Sequence, residues 1–372
     1  MTVATVVRLT GGDATISVTS AVAAPVQWLE EFLAPWFRAD PDGTAGATVT
    51  LTLDRERFHA LRLGVGTGAA LADTFVLDSR VTRCPAVERP RGRWTVVDEA
   101  MGVAYVVERD RASVEVVAPA DEPGARVALM RVVRELATGG AVRRGALLLH
   151  AGALVLGDQA VVVAGPKGAG KTTLLLHLLH AAGTRFVAND RVVVGTGTPP
   201  RVRGMPSIVA IRPGTLERLP RLRARLGPSP ATHWLTLIEA AALPGRGPLP
   251  ASTGTDRSPA QLCSALASPM ATGGRLAALL FPCADPPGGH PELVRLGEAS
   301  ARALLLRALF GAEPGRCSGV FGWLGEDAGL DVDLAQRCRE IAADVPCFEV
   351  GLGAAPLDDD AAAARRLAAV LA

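Results

Sequence analysis

The chain has 372 residues, of which 49% are hydrophobic and 20% charged; this is the composition of a folded globular protein, and the length allows two domains. The formal net charge is +2 and no run of Lys or Arg exceeds a pair, so nothing favours a nucleic-acid backbone as a partner. No stretch of about 18 or more apolar residues is present, and residues 1–10 lack the layout of a signal peptide. We therefore expect a cytoplasmic protein with no membrane partner.

Residues 1–144 have the pattern of an α+β domain. Apolar and polar side chains alternate over residues 49–53, as in a half-buried strand, and a hairpin is predicted over 104–117 with a polar tip at 108–111. One face of a helix is indicated by the spacing of Leu129, Val132, Val133 and Leu136. Glycines at 139 and 140 are expected to end this helix. No motif with chemistry lies in this region, so we expect it to be structural or to recognise a partner.

From residue 145 the pattern becomes that of an α/β domain, predicted over 145–372, with a mixed sheet wrapped by helices. An apolar strand over 147–156 turns at Gly157-Asp158 into a return strand over 159–164. A helix is predicted over 171–182, and then a strand over 185–194 with Asn189 and Asp190 in its middle.

The remainder of the chain is punctuated by Pro and Gly. Loops are predicted over 195–200, 244–250 and 283–291. Helical spacing is present over 262–280 and 299–310, a last strand is predicted over 346–352, and a final helix over 361–372. Six cysteines are spread along the chain without a C-x-x-C pair, which favours reduced core thiols over a zinc site. They are Cys84, Cys263, Cys283, Cys317, Cys338 and Cys347.

A glycine-rich loop with the full pattern G-x-x-x-x-G-K-[ST] follows the return strand and precedes a helix. Its predicted nucleotide-binding residues are Gly165, Pro166, Lys167, Gly168, Ala169, Gly170, Lys171, Thr172 and Thr173. Glycines let successive backbone N–H groups turn toward an anion, and the helix points the positive end of its dipole at the same place. Lys171 reaches the β- and γ-phosphates in such a loop, and the Thr172 hydroxyl ligates magnesium. We therefore predict that the chain binds ATP with Mg²⁺.

Two further residues carry candidate chemistry. Asp190 follows an apolar strand close to the phosphate loop, where an acid can hold the metal or orient the nucleophile; the alternative is that it pairs with Arg191 or caps a turn. His150 lies on the strand that pairs with the strand feeding the loop. It is either a catalytic neighbour or a hydrogen-bonded core residue.

The order of these motifs resembles the HPr kinase/phosphorylase superfamily, whose catalytic domain shares its core with phosphoenolpyruvate carboxykinase. The resemblance covers about residues 147–194 and includes the His150 strand, the hairpin, the phosphate loop and the stretch from residue 186 to Arg191. More narrowly, the chain is similar to the HPr-kinase-like proteins of biosynthetic clusters for ribosomally made peptides, including lasso-peptide kinases. The fold this implies is an α/β P-loop kinase domain with an added N-terminal α+β domain.

The resemblance implies transfer of a γ-phosphoryl group to a hydroxyl, with serine as the expected acceptor. Lys171 and Thr172 match the phosphate and metal residues, His150 the residue near the transferred phosphate, and Asp190 one of a pair of acids. Many relatives have a second Asp where this chain has Asn189, and Asn cannot accept a proton at neutral pH. Either Asp190 is the base, or catalysis rests on positioning and charge stabilisation. Relatives often form oligomers, so the resemblance allows a homo-oligomer, but the sequence itself shows no interface and leaves the oligomeric state open.

Weaker candidates for metal or phosphate contact are Glu239, Arg212, Arg221, Arg223 and Arg246, each of which is also explained as a surface charge. Two other functions stay open: an ATP-binding regulatory or scaffold protein without phosphotransfer, which Asn189 favours, and a carboxykinase-like enzyme acting on an oxoacid. The second requires a further cluster of metal ligands and a substrate arginine, which the sequence does not display. An ABC-type or helicase-type ATPase is disfavoured because no later apolar strand ends in Asp-Glu.

Overall fold

A computed structural model describes residues 4–66, 70–76, 80–99, 101–227, 255–283, 293–310, 334–353 and 357–372. The fold is mixed α/β, with large mixed sheets and helices. Contacts divide the chain into two compact units; among the described residues the first ends at Arg143 and the second begins at Arg144. Within the described part of the chain, no helix has the length and apolarity needed to cross a bilayer.

The first unit contains a sheet of nine strands. They are β1 (Thr5–Gly11), β2 (Ala14–Ser20), β3 (Arg38–Ala39), β4 (Ala47–Leu53), β5 (Ala70–Val76), β6 (Arg80–Arg89), β7 (Arg93–Asp98), β8 (Val103–Glu108) and β9 (Ser113–Ala118). Its helices are α1 (Ala23–Leu33), α2 (Arg55–Val65) and α3 (Pro123–Arg143), with a 3₁₀ turn at Arg109–Arg111. The strand order is β3-β1-β2-β4-β9-β8-β7-β6-β5, and only the β2–β4 and β4–β9 pairs are parallel.

Helix α3 is buried on nearly all sides, since it packs against β2, β4 and β9 and against α1. The prediction that Gly139 and Gly140 end this helix is wrong, because the helix continues to Arg143. Burial of the surrounding apolar side chains outweighs the propensity cost of about 1 kcal/mol per glycine. The strand predicted at 49–53 and the hairpin at 104–117 are confirmed.

The second unit contains the remaining elements. Its strands are β10 (Leu147–Leu156), β11 (Gln159–Ala164), β12 (Thr184–Ala188), β13 (Arg191–Val194), β14 (Arg201–Met205), β15 (Val209–Ile211), β16 (Thr255–Arg257), β17 (Gly273–Cys283), β18 (Leu293–Arg295) and β19 (Cys347–Gly351). Its helices are α4 (Lys171–Leu178), α5 (Pro213–Arg218), α6 (Pro220–Leu226), α7 (Pro259–Leu266), α8 (Glu298–Ala308), α9 (Leu334–Asp344) and α10 (Asp360–Leu371).

Pairing closes several strands of the second unit into a ring. Strand β10 pairs with β11 on one side and with β12 and β13 on the other, β13 pairs with β14, and β17 pairs with both β14 and β11. Strand β17 also pairs in parallel with β19. A buried apolar core joins these strands to α8 and α9. Helix α4 approaches β10 closely at Gly152, where an added Cβ would lie 2.9 Å from Leu175 Cδ2.

Three predicted elements of the second unit differ from the structure. Helix α4 ends at Leu178 instead of about residue 182, because the Thr184 hydroxyl donates to the carbonyls of Leu179 and Ala181 and stabilises a turn there. The strand predicted over 185–194 is interrupted at Asn189-Asp190 and forms β12 and β13. The helix predicted over 262–280 is wrong, since α7 stops at Leu266 and β17 begins at Gly273. A strand buried on both faces has a continuous apolar pattern that periodicity cannot separate from a helix.

The later predictions at 299–310, 346–352 and 361–372 are confirmed by α8, β19 and α10, within two residues at each end. Four of the described cysteines are buried free thiols, Cys84, Cys263, Cys338 and Cys347, and Cys283 is half-buried. The predicted loop at 244–250, most of the loop at 283–291, Cys317, Glu239 and Arg246 lie outside the described residues.

Candidate active site

The phosphate loop connects the end of β11 to the first residue of α4. Gly165, Gly168 and Gly170 have positive φ, and Gly170, at φ +97°, is the residue immediately before the helix. A side chain at Gly170 would be strained and would also collide with Leu352, because its Cβ would lie 2.3 Å from Leu352 Cδ1. The loop therefore needs glycine here for its backbone to turn at this point.

Lys171 lies across its own loop. Its side chain is 8% exposed, and Nζ donates to the carbonyl oxygens of Gly165 at 2.7 Å and Pro166 at 3.0 Å. Burial lowers the pKa of Lys171 to about 8, against the attraction of Asp190, which raises it; Arg212 lowers it further. The ammonium group is thus held at the mouth of the loop, within electrostatic reach of an acid and a second cation.

The other loop residues differ in exposure. Pro166, Lys167 and Gly168 are exposed, whereas Ala169 and Thr172 are partly buried. Thr173 is buried, and its hydroxyl forms a 2.8 Å hydrogen bond with the Thr215 hydroxyl of α5. Its side chain therefore ties α4 to α5, and only its backbone remains for the phosphate-binding role predicted for it.

The ends of several strands meet at this loop. Strands β11, β17 and β19 are parallel, so their carboxyl ends lie at one edge of the sheet. Pro282, near the end of β17, would be 3.9 Å from a Cβ at Gly165, and Leu352 follows β19 directly. Strand β12 has the same direction, because both it and β11 are antiparallel to β10. The loop and the start of α4 therefore lie beside the carboxyl ends of these strands.

Asp190 and His150 lie together at this edge. Ala151 pairs with Ala164, the last residue before the loop, and its N–H donates to the Asp190 carbonyl at 3.1 Å. His150 precedes Ala151, and its Nε2 lies 3.1 Å from Asp190 Oδ1. The side chains of His150 and Asp190 are 23% and 31% exposed. The predicted residues Lys171, Asp190 and His150 are thus brought to one edge of the sheet, with Asp190 interacting with both of the others.

Asn189 is held differently from Asp190. It is 9% exposed; its side-chain Nδ2 donates to the Ile208 carbonyl at 3.2 Å, and its Oδ1 accepts from the Ser207 hydroxyl at 3.1 Å. Both ends of the amide are engaged by residues 207 and 208. The carboxylate available at this strand end is therefore that of Asp190.

Phe310 of this cluster carries no sequence signal for function, whereas the sequence indicates Arg191 as an ion-pair partner of Asp190. The Phe310 ring lies with its centroid 5.2 Å from that of His150, and Arg191 Cζ lies 5.0 Å over the same ring. Arg191 Nε is 3.9 Å from Asp190 Oδ2. Phe310 belongs to no motif, and it reaches the site only because the segment after α8 runs alongside β10.

The structure places the weaker candidates Arg212, Arg221 and Arg223 in different surroundings. Arg212 lies close enough to Lys171 to lower its pKa, whereas the Arg221 backbone N–H donates to Asp358 Oδ2 at 2.5 Å and its guanidinium is 3.4 Å from Asp360. Arg221 therefore belongs to the contact with the C-terminal segment. Arg223 is exposed on α6.

Comparison with known proteins finds no family model and no curated protein that matches this chain.

Proposed function

We propose that this chain is a magnesium-dependent kinase, with a P-loop domain of the HPr kinase type, which transfers the γ-phosphoryl group of ATP to an alcohol. Serine in a peptide or protein is the acceptor we expect. The observation that carries the proposal is the position of Asp190, 3.1 Å from His150 Nε2, at the same edge of the sheet as the glycine-rich loop across which Lys171 lies. A phosphate-binding cation and an acid are the parts that phosphoryl transfer requires. The similarity of the motif order to the HPr kinase/phosphorylase superfamily supports the same function.

The loop and Lys171 have the task of binding and polarising the triphosphate. The backbone N–H groups around Gly168 and Gly170 and the N-terminus of α4 stabilise negative charge on the phosphate oxygens. Lys171 exchanges its hydrogen bonds to the Gly165 and Pro166 carbonyls for phosphate oxygens, which are stronger acceptors because they are charged.

Asp190 has the task of orienting and deprotonating the acceptor. The acceptor oxygen forms a bond to the γ-phosphorus while the bond from that phosphorus to the bridging oxygen breaks, which releases ADP. The hydroxyl proton passes to the Asp190 carboxylate. His150, 3.1 Å from Oδ1, fixes the direction of this carboxylate.

The residues of the candidate site fit a magnesium ion that is bound to the phosphates of a nucleotide. Mg²⁺ prefers oxygen ligands and is commonly held by one or two protein side chains together with phosphates. Thr172, partly buried in the first turn of α4, and the accessible carboxylate of Asp190 provide such oxygens. The described residues contain no cluster of three or more His, Cys, Asp or Glu that could hold a metal by themselves. When bound, the ion would neutralise charge on the phosphate oxygens.

The test uses the full chain with ATP, MgCl₂ and pairs of peptides that differ only by Ser→Ala, followed by intact mass. The expected result is one added phosphate on the Ser peptide, none on its Ala partner, and none with Lys171→Ala. Calorimetry with MgATP measures binding separately. Absence of nucleotide binding would overturn the whole proposal.

A second function is favoured by the position of Asn189. Its amide is engaged by Ser207 and Ile208, so the strand end presents one acid instead of two. A protein that binds ATP and signals by its conformation needs no second acid. Tight MgATP binding without transfer to any acceptor, and without slow hydrolysis by water, would establish this function in place of the kinase.

A further inference from the structure

Phe310 is fixed beside the candidate site by its backbone. It lies two residues beyond the end of α8; its N–H donates to the Leu148 carbonyl at 2.8 Å, and Leu309 forms a bridge with Leu149 of β10. The side chain is 8% exposed. The ring is therefore held against the strand that carries His150.

The Phe310 ring contacts His150 and Arg191, the two residues that lie beside the carboxylate of Asp190. His150 and Arg191 are paired across β10 and β13, and both lie at about 5 Å from Phe310, at 5.2 Å between ring centroids and at 5.0 Å from Cζ to centroid. These distances are in the range of aromatic packing and of a cation–π interaction. The Asp190 oxygens face the same two residues, with Oδ1 at 3.1 Å from His150 and Oδ2 at 3.9 Å from Arg191.

The four side chains thus form a closed set of contacts: Asp190 with His150, His150 with Phe310, Phe310 with Arg191, and Arg191 with Asp190. Oδ1 lies within hydrogen-bond distance of His150 and Oδ2 within ion-pair distance of Arg191, and both interactions favour one orientation of the carboxylate. Small misplacements of a reacting group reduce phosphoryl transfer strongly. The rotation of His150 and Arg191, in turn, is limited by the aromatic ring that both contact.

We propose that Phe310 is a positioning residue for phosphoryl transfer, which holds His150 and Arg191 in the places from which they orient Asp190. The inference rests on the proposed kinase function and adds to it a residue that acts through its contacts with His150 and Arg191. Volume-conserving apolar substitutions are usually tolerated at core positions, whereas the contacts of Phe310 with His150 and Arg191 depend on an aromatic ring.

The test compares two buried phenylalanines of the second unit. Phe310→Leu removes the aromatic face at the site, and Phe348→Leu makes the same change on β19, where the native side chain is 9% exposed. We expect Phe310→Leu to lower kcat about tenfold with an unchanged KM for ATP, because it removes one aromatic and one cation–π contact. Phe310→Tyr, which keeps the ring, should retain most of the rate, and Phe348→Leu should leave kcat unchanged.

A double variant shows whether Phe310 acts through His150. In a His150→Gln background, Phe310→Leu should reduce kcat by clearly less than tenfold, since the residue that it positions is already gone. An equal loss in both backgrounds, or an equal loss in Phe348→Leu, would overturn the inference and leave Phe310 as ordinary core.

A spectroscopic readout separates this inference from the proposed function. The protein contains six histidines, and the His150 ring signal is identified by its absence in His150→Gln. Loss of the ring current of Phe310 should move the His150 ¹³Cε1–¹H signal in Phe310→Leu and leave it in place in Phe348→Leu. An unmoved signal overturns the positioning role even if the kinase is active. A moved signal without any phosphate transfer in the native protein refutes the kinase proposal instead.

Discussion

Helix α4 has a histidine–aspartate group near each end, and the two groups differ in kind. Near its N-terminus, His150 and Asp190 are partly exposed, and Asp190 interacts electrostatically with Lys171 of the phosphate loop. Near its C-terminus, His177 and His180 face the segment that begins α10. His177 is 1% exposed, and its Nδ1 lies 2.6 Å from the Leu357 carbonyl oxygen.

Three side chains of the C-terminal group, His177, His180 and Asp358, are largely enclosed, whereas Asp360 is exposed. His180 Nε2 is 3.6 Å from Asp358 Oδ1 and its Nδ1 is 3.5 Å from Asp360 Oδ1, while Asp358 also accepts from the Arg221 backbone. Burial lowers the pKa of His177 to about 4, so its neutral form ties the segment to the helix. The same residue types therefore serve structure where they are enclosed, and are available for chemistry where they are accessible beside a cation and a phosphate loop.

The largest expected effect concerns the group near the N-terminus of α4. Lys171→Ala should reduce phosphate transfer about 10³-fold, because it removes a charge that stabilises the transferring phosphate. Lys167→Ala, which changes an exposed lysine of the same loop, is the matched control and should lose far less. Rates are measured by intact mass of the acceptor. Equal losses in the two variants would contradict the role assigned to Lys171.

The second effect tests which residue at the strand end is the acid. Asp190→Asn should lower kcat about 10²-fold or more, as expected for loss of a general base. Asn189→Asp should not raise the rate; it should lower the free energy of unfolding by about 1–3 kcal/mol, because a carboxylate would replace the amide that donates to the Ile208 carbonyl. The measurements are steady-state kinetics and urea unfolding. An Asn189→Asp variant that is faster than the native protein would assign the base to position 189.

The third effect concerns the enclosed histidine. The pKa of His177 is lowered from 6.5 to about 4 in the folded protein. Between these two pH values the unfolded chain therefore binds a proton on this histidine, whereas the folded protein does not. Stability is therefore full above about pH 6.5 and falls as the pH drops toward 4, by about 3 kcal/mol from this group. His177→Gln should flatten this part of the pH profile of the unfolding free energy, measured with urea, and leave kcat nearly unchanged. His150→Gln is the control, and an identical pH profile in His177→Gln and the native protein would refute the assignment.

The smallest effect is on nucleotide affinity. The pKa of Lys171 is about 8, so its ammonium loses its proton as the pH rises through this value. Because only the charged form attracts phosphate, the Kd for MgATP should rise about tenfold per pH unit well above pH 8. Calorimetry from pH 7 to pH 10 measures the Kd for MgATP at each pH. The increase of this Kd with pH should be absent in Lys171→Met. A slope that persists in this variant would assign the titration to another group.

Much of the second unit could be predicted because its signals are local. The phosphate loop depends on glycines at set spacings, and the hairpin of β10 and β11 on a two-residue turn between apolar strands. The interruption at Asn189-Asp190 could not be predicted from the local sequence; there Asn189 bonds to Ser207 and Ile208, which lie on a later segment of the chain. The prediction of a helix in the region of β17 is wrong because its apolar residues 278–282 are buried on both faces and lack the alternation that marks a strand.

From the sequence alone come the composition of a globular protein, the phosphate loop, and Lys171, Asp190 and His150 as the residues to examine, because these follow from residue type and spacing. Tertiary structure alone decides that Asp190 contacts His150, that Thr173 faces Thr215, and that Phe310 joins the cluster. Each of these contacts connects different segments of the chain. Their distances are set by strand pairing and core packing, which spacing along the sequence does not encode.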